Sequence, residues 1–506
     1  VAVLSYLSLR RLYMALIKLD LPAGIYRNGT DLQSSGRWRD SNLVRWHDNT
    51  LRPIGGWRLR SDTAAGAKVR GLHAWIDNDS DRWIGAGTYD NLYIYNSGGT
   101  RYDITPTGLT AGTEDALSPV GYGNSSYGQE YYGIARLEAS TVTPATSWAL
   151  DTWGENMIAC SNADGKIYEW SLVTGTPAAV IANAPTNCRS IVVTEERFLM
   201  SFGAGGNPRL VKWSDREDNT TWTPSATNEA GDLELQTNGR IQCGVKVQNQ
   251  TLILTDTDAH VATYSGPPYV YGIERVGTSC GIVSAQAKAV VDIGAVWMGR
   301  RSFYAYSGGT VSEIDCDVSD YVFSDINTSQ ISKVCAVSNA SFGEIWWFYP
   351  SASSNENDRY VSYNYNDNTW AIGLMARTAG VDAGVYRQPI NVSATNNKLY
   401  EHEIGYNYDG VEPFVESGPI SIGDGENVMS VTQMIPDEKT QGDVDAIFKT
   451  RFYPNDVERT YGPFNMANPT SLRFTGRQVR MRIEGVSTSD WRVGINRLEV
   501  KQGGKR

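Results

Sequence analysis

The chain of 506 residues is 41% hydrophobic and 11% aromatic, which is enough for a hydrophobic core and excludes disorder over the whole chain. Its formal net charge of −11 argues against a simple nucleic-acid binder, since such proteins are normally basic. The length indicates two to four domains unless repeats account for it, and the 50 Gly, 28 Tyr and 15 Trp residues favour β-structure with many tight turns. The sequence contains no stretch of 18 apolar residues and so predicts no membrane-spanning helix.

The N-terminal region contains two features that precede any repeat. Met14 is interpreted as the natural start, which makes residues 1–13 an upstream overhang, and residues 14–70 are predicted to form hairpins that attach the chain to another protein. Residues 36–58, GRWRDSNLVRWHDNTLRPIGGWR, concentrate arginines and indole rings around a Pro/Gly turn. Such a stretch is compatible with a nucleic-acid surface, a sugar-binding platform or a scaffold that seats one protein on another.

Seven segments share one pattern, a turn followed by a short alternating strand that ends in an aromatic residue or His. They are DNLYIY (90–95), DGKIYEW (164–170), NPRLVKW (207–213), DAHVATY (258–264), RRSFYAY (300–306), DRYVSY (358–363) and NNKLYEH (396–402). Most follow a second apolar segment, such as ENMIACS, RFLMSFG, TLILTD, AVWMG or EIWWFYP, so that each pair predicts a β-hairpin.

The spacing of these hairpins predicts the architecture. After a first interval of 75 residues, the segment ends recur at intervals of 43, 51, 42, 57 and 39 residues, near the roughly 40–50 residues of one four-stranded propeller blade. We therefore predict an all-β chain with a β-propeller of six to eight blades over residues 71–405. The first interval contains a Gly/Tyr-rich insertion at residues 108–140, which is interpreted equally well as a functional loop or as a tolerated insertion.

Residues 406–506 alternate apolar and polar side chains over longer runs. They predict a separate antiparallel β domain, which the N-terminal hairpins complete. In RQVRMRIEG, residues 477–485, the apolar side chains and Arg477 share one face of a strand, whereas Arg480 and Arg482 lie on the other. This arginine face is predicted to be either solvated or an interface.

The sequence offers little material for catalysis, because it has four His residues and lacks the phosphate-binding, Ser-nucleophile and zinc-protease motifs. Two motifs invite a metal interpretation, YEHE at 400–403 and DNDSD at 77–81, but the spacing of their side chains favours a polar strand end and a solvated turn. The six Cys residues lack metal-ligand spacing and predict free buried thiols in a reducing compartment. We therefore predict no enzyme, no cofactor and no metal site.

The two ends of the chain, LPAGIY…GGWR (21–58) and YGPFNMANPT…NRLEV (461–500), flank the propeller pattern. Together with the GYGNSSYGQEYYG insertion and with EHEIGYNYDG and ESGPISIGDGENVMSV after the propeller, they resemble tail nozzle proteins of short-tailed bacteriophages. This family is related to tail tubular protein B and the packaged-DNA stabilisation protein. The resemblance covers both ends and, in outline, the propeller.

The resemblance implies a structural protein of the virion tail, assembled in the host cytoplasm. It implies a homohexameric ring below the portal and the head-to-tail adaptor protein, in which each subunit carries its propeller outward around a channel. The ring would retain packaged genomic DNA and then pass it without sequence-specific binding. Tail fibre or tailspike proteins are further implied partners, contact with the host envelope is compatible with this place, and neither a catalytic residue nor a cofactor comes with the family.

In that setting the tryptophans and arginines at both ends are interpreted as scaffold and interface, because indole rings pack hairpins and arginines pair bidentately with carboxylates. The candidate interface residues are Arg37, Trp38, Arg39, Arg45, Trp46, Trp57, Arg477, Arg480 and Arg482. Charge reversal at Arg480 and Arg482 is expected to leave the fold intact and to abolish incorporation into particles. The alternative, of a different class, is a host-surface or glycan-binding propeller that uses exposed Trp and Tyr rings as sugar platforms.

Overall fold

The computed structural model describes residues 15–117, 142–421 and 427–504. The predictions for residues 1–13 and for most of the insertion at 108–140 fall outside these described residues. The chain divides into two compact units. Unit 1 is drawn from Val1–Gly56, Asp367–Gly373 and Gly405–Arg506, and unit 2 from Trp57–Asn366 and Leu374–Ile404.

Among the described residues, seven four-stranded antiparallel sheets form the blades of a β-propeller, which confirms the predicted fold class. Blade 1 consists of Leu72–Ile76, Arg82–Gly87, Leu92–Tyr95 and Arg101–Asp103, and blade 2 of Trp148–Trp153, Asn156–Ser161, Ile167–Trp170 and Ala179–Val180. Blade 3 consists of Ser190–Val193, Leu199–Phe202, Leu210–Trp213 and Gly231–Glu234, and blade 4 of Ile241–Val247, Gln250–Thr255, Asp258–Gly266 and Val270–Thr278. Blade 5 consists of Lys288–Val291, Gly294–Met298, Phe303–Ser307 and Thr310–Ile314, and blade 6 of Cys335–Asn339, Glu344–Tyr349, Arg359–Asn364 and Thr369–Leu374. Blade 7 consists of Arg377–Val381, Ile390–Ser393, Leu399–His402 and Trp57–Leu59.

Each of the seven repeated segments forms the third strand of a blade, and the apolar segments before them form second strands. These strands lie in the middle of their sheets, and the apolar clusters of neighbouring blades cover both of their faces. Leu199–Phe202 and Gly294–Met298 are therefore buried at every position. The outermost strand Ala179–Val180 is exposed, and so short a strand has no apolar pattern that a sequence could reveal.

Blade 7 is closed by the N-terminal strand Trp57–Leu59, which pairs antiparallel with Leu399–His402. Glu401 in the latter strand accepts a hydrogen bond from Arg58 at 2.8 Å and another from Arg60. A strand from the start of the chain thus completes the last sheet, and this pairing closes the ring. The propeller begins at Trp57 and not at residue 71 as predicted, because a strand of three residues is too short to show periodicity.

Unit 1 contains two further antiparallel sheets and a hairpin, as predicted for a second β domain built from both ends of the chain. One sheet has the order Ala15–Leu19, Asn496–Gln502, Met429–Ile435, Thr470–Gly476. The other has the order Trp38–Asn42, Phe414–Ser417, Gln478–Gly485, Val444–Arg451, Arg459–Asn465, with Ile420–Ser421 also paired to Gln478–Gly485. The hairpin consists of Val44–His47 and Thr50–Pro53.

Helices are few among the described residues. The single α-helix there is Ser319–Asp325, and short 3-10 helices lie at Asp31–Ser34, Ala204–Gly206, Thr328–Lys333 and Ala340–Phe342. No described helix has the length and apolar character needed to cross a membrane.

All fifteen Trp side chains are buried or half-buried. Several indole N–H groups donate to backbone carbonyl oxygens in the core, as in the bonds from Trp148 to Thr88 at 2.6 Å and from Trp297 to Cys280 at 2.7 Å. A buried indole needs such a partner for its single donor. The aromatic richness of the sequence is therefore used to pack the molecule.

Candidate functional site

The arginine- and tryptophan-rich stretch of residues 36–58 contains three buried candidate residues. Trp38, Arg45 and Trp46 expose 6%, 3% and 4% of their surfaces. Side chains covered to this extent present no surface to another protein, so we correct these three from interface to scaffold. The strands that contain these residues direct their side chains into the interior. The sequence alone does not show whether a Trp or Arg side chain points to the interior or to solvent.

The other candidates from the two ends of the chain are more accessible. Arg37 is exposed, and Trp57 and Arg477 are half-buried. Arg39 is half-buried and forms an ion pair with Asp31, with 3.0 Å between Nε and Oδ1. Of these four, Arg37 offers the largest surface for a contact with another chain.

An ion-pair network covers the arginine face of Gln478–Gly485. Asp31 Oδ2 accepts a hydrogen bond from Arg451 at 2.6 Å and a second one from Arg480. Arg480 Nε also lies 3.2 Å from Glu458 Oε1. The arginine side chains of this face are therefore paired with carboxylates within unit 1. Sequence reasoning missed Asp31, which is 449 residues from Arg480 along the chain.

Glu416 extends the network at the same face. Its Oε2 lies 2.7 Å from Lys449 Nζ and 3.6 Å from Arg482 Nη1, and its Oε1 lies 3.6 Å from Arg480 Nη1. The guanidinium of Arg482 also covers the Phe414 ring at 3.5 Å from its centre. Arg480 and Arg482 therefore help to hold the strands of unit 1 together, and charge reversal there is no longer expected to leave the fold intact.

The charges around Asp31 fix its protonation state. Burial raises the pKa of this carboxyl group, but the hydrogen bonds and positive charges of Arg451 and Arg480 outweigh burial and hold the pKa below its ordinary value. Asp31 is therefore ionised at neutral pH and pairs with several guanidinium groups. This arrangement stabilises the structure and has no free group for acid–base chemistry.

The two motifs with a metal interpretation serve local structure. Asp77 accepts hydrogen bonds from the Asp81 backbone N–H and the Trp83 indole N–H, both at 2.8 Å. In YEHE, the buried His402 accepts a hydrogen bond from Arg377 Nε at 3.0 Å. Within residues 15–117, 142–421 and 427–504, no group of three or more His, Cys, Asp or Glu side chains could hold a metal ion.

The six cysteines are all free, and five of them are buried, which confirms the predicted state of the thiols. Burial raises the pKa of Cys188 to about 12, so this thiol stays protonated at neutral pH. A protonated, buried thiol is a poor nucleophile.

A cavity of about 770 Å³ is lined by four arginines that sequence reasoning missed, Arg209, Arg275, Arg300 and Arg301. It lies on blades 3 to 5. Successive strands of a blade run in opposite directions. One face of the propeller therefore holds the turns between second and third strands together with the connections to the next blade. The cavity lies on that face. The RR pair that opens RRSFYAY was the only available signal, and such a pair alone indicates a solvated turn.

Comparisons with known proteins find no matching family model and no matching curated protein. Among solved structures, the chain is similar to virginiamycin B lyase from Staphylococcus aureus, with 9% identity and a TM-score of 0.43 over 68% of this chain and 98% of that one. It is also similar to the β-propeller domain of Cps50 (Swd1) from Myceliophteria thermophila, with 6% identity and a TM-score of 0.41 over 69% and 99% of the two chains. A third is the WD40 propeller domain of Doa1, with 10% identity and a TM-score of 0.36 over 68% and 96%. These proteins are too distant to indicate an activity for this chain.

Proposed function

We propose that the chain is a tail nozzle subunit of a short-tailed bacteriophage, a structural protein in a ring below the portal and adaptor. The observation that carries this proposal is the division of the chain. Its N- and C-terminal segments fold together in unit 1, and the propeller is inserted between them. The two ends that resemble nozzle proteins thus belong to one β unit, which would serve as the platform of the ring.

In this role the hexameric ring retains the packaged genome and then forms the channel for its ejection. A wall that bound many phosphates would stall the DNA, since each neutralised phosphate adds affinity through counterion release. The formal net charge of −11 suits a wall along which the duplex slides. The proposal assigns no catalytic residue and no cofactor.

The glycan-binding alternative is less well supported in the form that sequence reasoning gave it. That form needs exposed aromatic rings, but every Trp of the chain is buried or half-buried. Among the tyrosines of the described residues, Tyr269 and Tyr453 are largely exposed, at 82% and 58%, and they lie in different units.

The test is assembly on the adaptor. The purified full chain is mixed with the adaptor ring of the same phage and imaged by electron microscopy, and we expect sixfold rings on the adaptor. Arg37→Glu should weaken this assembly, because Arg37 is an exposed arginine of the stretch 36–58. Arg473→Glu, at an exposed site of the same unit, is the matched control. A chain that stays unbound, together with particles that keep their genome without it, would contradict the proposal.

A further inference from the structure

The arginine-lined cavity on blades 3 to 5 carries positive charge that is not paired by carboxylates of the residues the structure describes. Arg275, Arg300 and Arg301 are exposed, and among the described residues no carboxylate lies within ion-pair distance of their guanidinium groups. Arg209 at the rim pairs with Glu234 at 2.5 Å. Three guanidinium groups without a carboxylate partner in the described part of the chain surround one cavity, and on a chain of net charge −11 they form a local site for anions.

The acidic residues of the same cavity are engaged by the protein. Asp258 is buried, and its two carboxylate oxygens accept hydrogen bonds from Thr237 Oγ1 at 2.9 and 2.8 Å, in addition to one from Thr255. Asp256 Oδ1 accepts a hydrogen bond from the Arg240 backbone N–H at 2.7 Å. These carboxylates fix the loops that frame the cavity, and the outward-facing charge is that of the arginines.

The remaining lining is polar and suits hydroxyl groups. Gln236, Asn238, Thr257 and Ser279 supply amide and hydroxyl groups around the arginines. The lining also includes Tyr304, an aromatic side chain of the kind that sugars contact. A cavity with charged, neutral polar and aromatic groups matches a ligand that has both acidic groups and many hydroxyls.

A second cavity, of about 680 Å³, shares Asp256 and Arg300 with the first. Together the two form a depression longer than a single sugar unit needs. From this chemistry we infer that this face of the propeller binds an acidic oligosaccharide, with carboxylate or phosphate groups held by Arg275, Arg300 and Arg301. A double helix is too wide to enter a cavity of this size, which is typical of small-ligand sites. The inference rests on the propeller alone and is independent of a place in the virion tail.

The test is calorimetric titration of the full chain at low salt. The probes are a uronic-acid oligosaccharide, a phosphorylated core oligosaccharide from deacylated lipopolysaccharide, and inorganic phosphate. The first two separate carboxylate from phosphate as the recognised group, and a neutral malto-oligosaccharide of equal length is the negative control. We expect at least one acidic oligosaccharide to bind more tightly than both inorganic phosphate and the neutral sugar.

Variants then locate the site. The triple variant R275Q/R300Q/R301Q should weaken binding about tenfold or more, because hydrogen bonds to charged groups are the strong ones. The variant R82Q/R216Q/R387Q removes the same charge at exposed propeller arginines outside the cavity and should bind as the unchanged chain does. Equal losses in both variants, equal binding of the neutral sugar, or no binding of either acidic oligosaccharide would overturn the inference. So would competition by duplex DNA, which would point to nucleic acid as the ligand.

Discussion

Asp31 brings guanidinium groups from distant parts of unit 1 to one point. Its carboxylate is paired with Arg39, Arg451 and Arg480, which come from the N-terminal stretch and from two strands of the C-terminal region. Removing a half-buried carboxylate that binds several guanidinium groups would leave unpaired positive charges close together. The free-energy cost of these unpaired charges is the main reason why such a carboxylate stabilises a fold.

We expect Asp31→Asn to lower the free energy of unfolding by about 1–2 kcal/mol at neutral pH. Because the folded pKa of Asp31 is below its ordinary value, this stabilisation is present above the unfolded pKa near 3.9 and is lost as the pH falls through the folded pKa. Urea unfolding should therefore show a difference between the two proteins that shrinks as the pH falls below about 4. Asp20→Asn, at an exposed pair with Lys18, is the control and should have little effect. A difference that does not change with pH would contradict this account of Asp31.

The same network predicts the outcome of charge reversal at Arg480 and Arg482. In R480E/R482E, two new carboxylates would face Glu416 and Glu458, so we expect unfolding to become easier by about 2 kcal/mol or more. The exposed pair R473E/R497E carries the same change in charge and should unfold nearly as the unchanged chain does. Denaturant unfolding of both variants measures the difference. Equal stability of the two variants would mean that the network contributes little.

At the scale of elements, the second and third strands of the blades could be predicted, and the pieces that complete the molecule could not. DGKIYEW and RRSFYAY show a turn and a short alternating run because their strands lie in the middle of their sheets, where most positions are buried and the remaining ones are more accessible. The closing strand Trp57–Leu59 shows neither, since its place depends on pairing with Leu399–His402 across the whole propeller. The ion pairs of Arg480 could not be predicted for a similar reason, because its partner Asp31 lies at the other end of the chain.

The closing strand yields a prediction of its own. Glu401→Ala removes the acceptor of Arg58 and Arg60 and should loosen the pairing of Trp57–Leu59, at a cost of about 1–2 kcal/mol. Hydrogen exchange should accelerate at the backbone amides of this strand and remain unchanged in blade 3. Glu274→Ala, an exposed site on blade 4, is the control. Unchanged exchange at the closing strand would show that backbone pairing alone holds it.

At the scale of the whole propeller, three histidines link stability to pH. Burial lowers the pKa of His73, His260 and His402, and the Arg377 charge lowers that of His402 further, whereas Asp151 and Asp258 partly oppose the shifts at the other two. The unfolded chain therefore binds protons first, below about pH 6.5, and stability falls as the pH falls from there.

We expect urea unfolding to require less denaturant at about pH 5.5 than at about pH 7.5. In His402→Gln the amide oxygen can still accept the bond from Arg377 Nε, and the titrating group is gone. The drop in stability between the two pH values should therefore be smaller in this variant. Stability that stays constant or rises on acidification would contradict the assignment of the histidines.

The charge of the whole molecule leads to the last prediction, which concerns duplex DNA. A chain of net charge −11 has few places where a phosphate backbone can settle, and the cavity arginines lie in a depression that a duplex does not enter. We therefore expect weak binding of duplex DNA even at low salt, where electrostatic attraction is least screened. A gel-shift titration measures this binding, and R275Q/R300Q/R301Q should behave as the unchanged chain does.

Tight, salt-sensitive binding would contradict this prediction and reveal a DNA-binding surface, since each neutralised phosphate adds to the salt dependence. The exposed Arg37 would then be the first residue to replace. Weak binding is what a channel requires if the genome is to slide through it without friction.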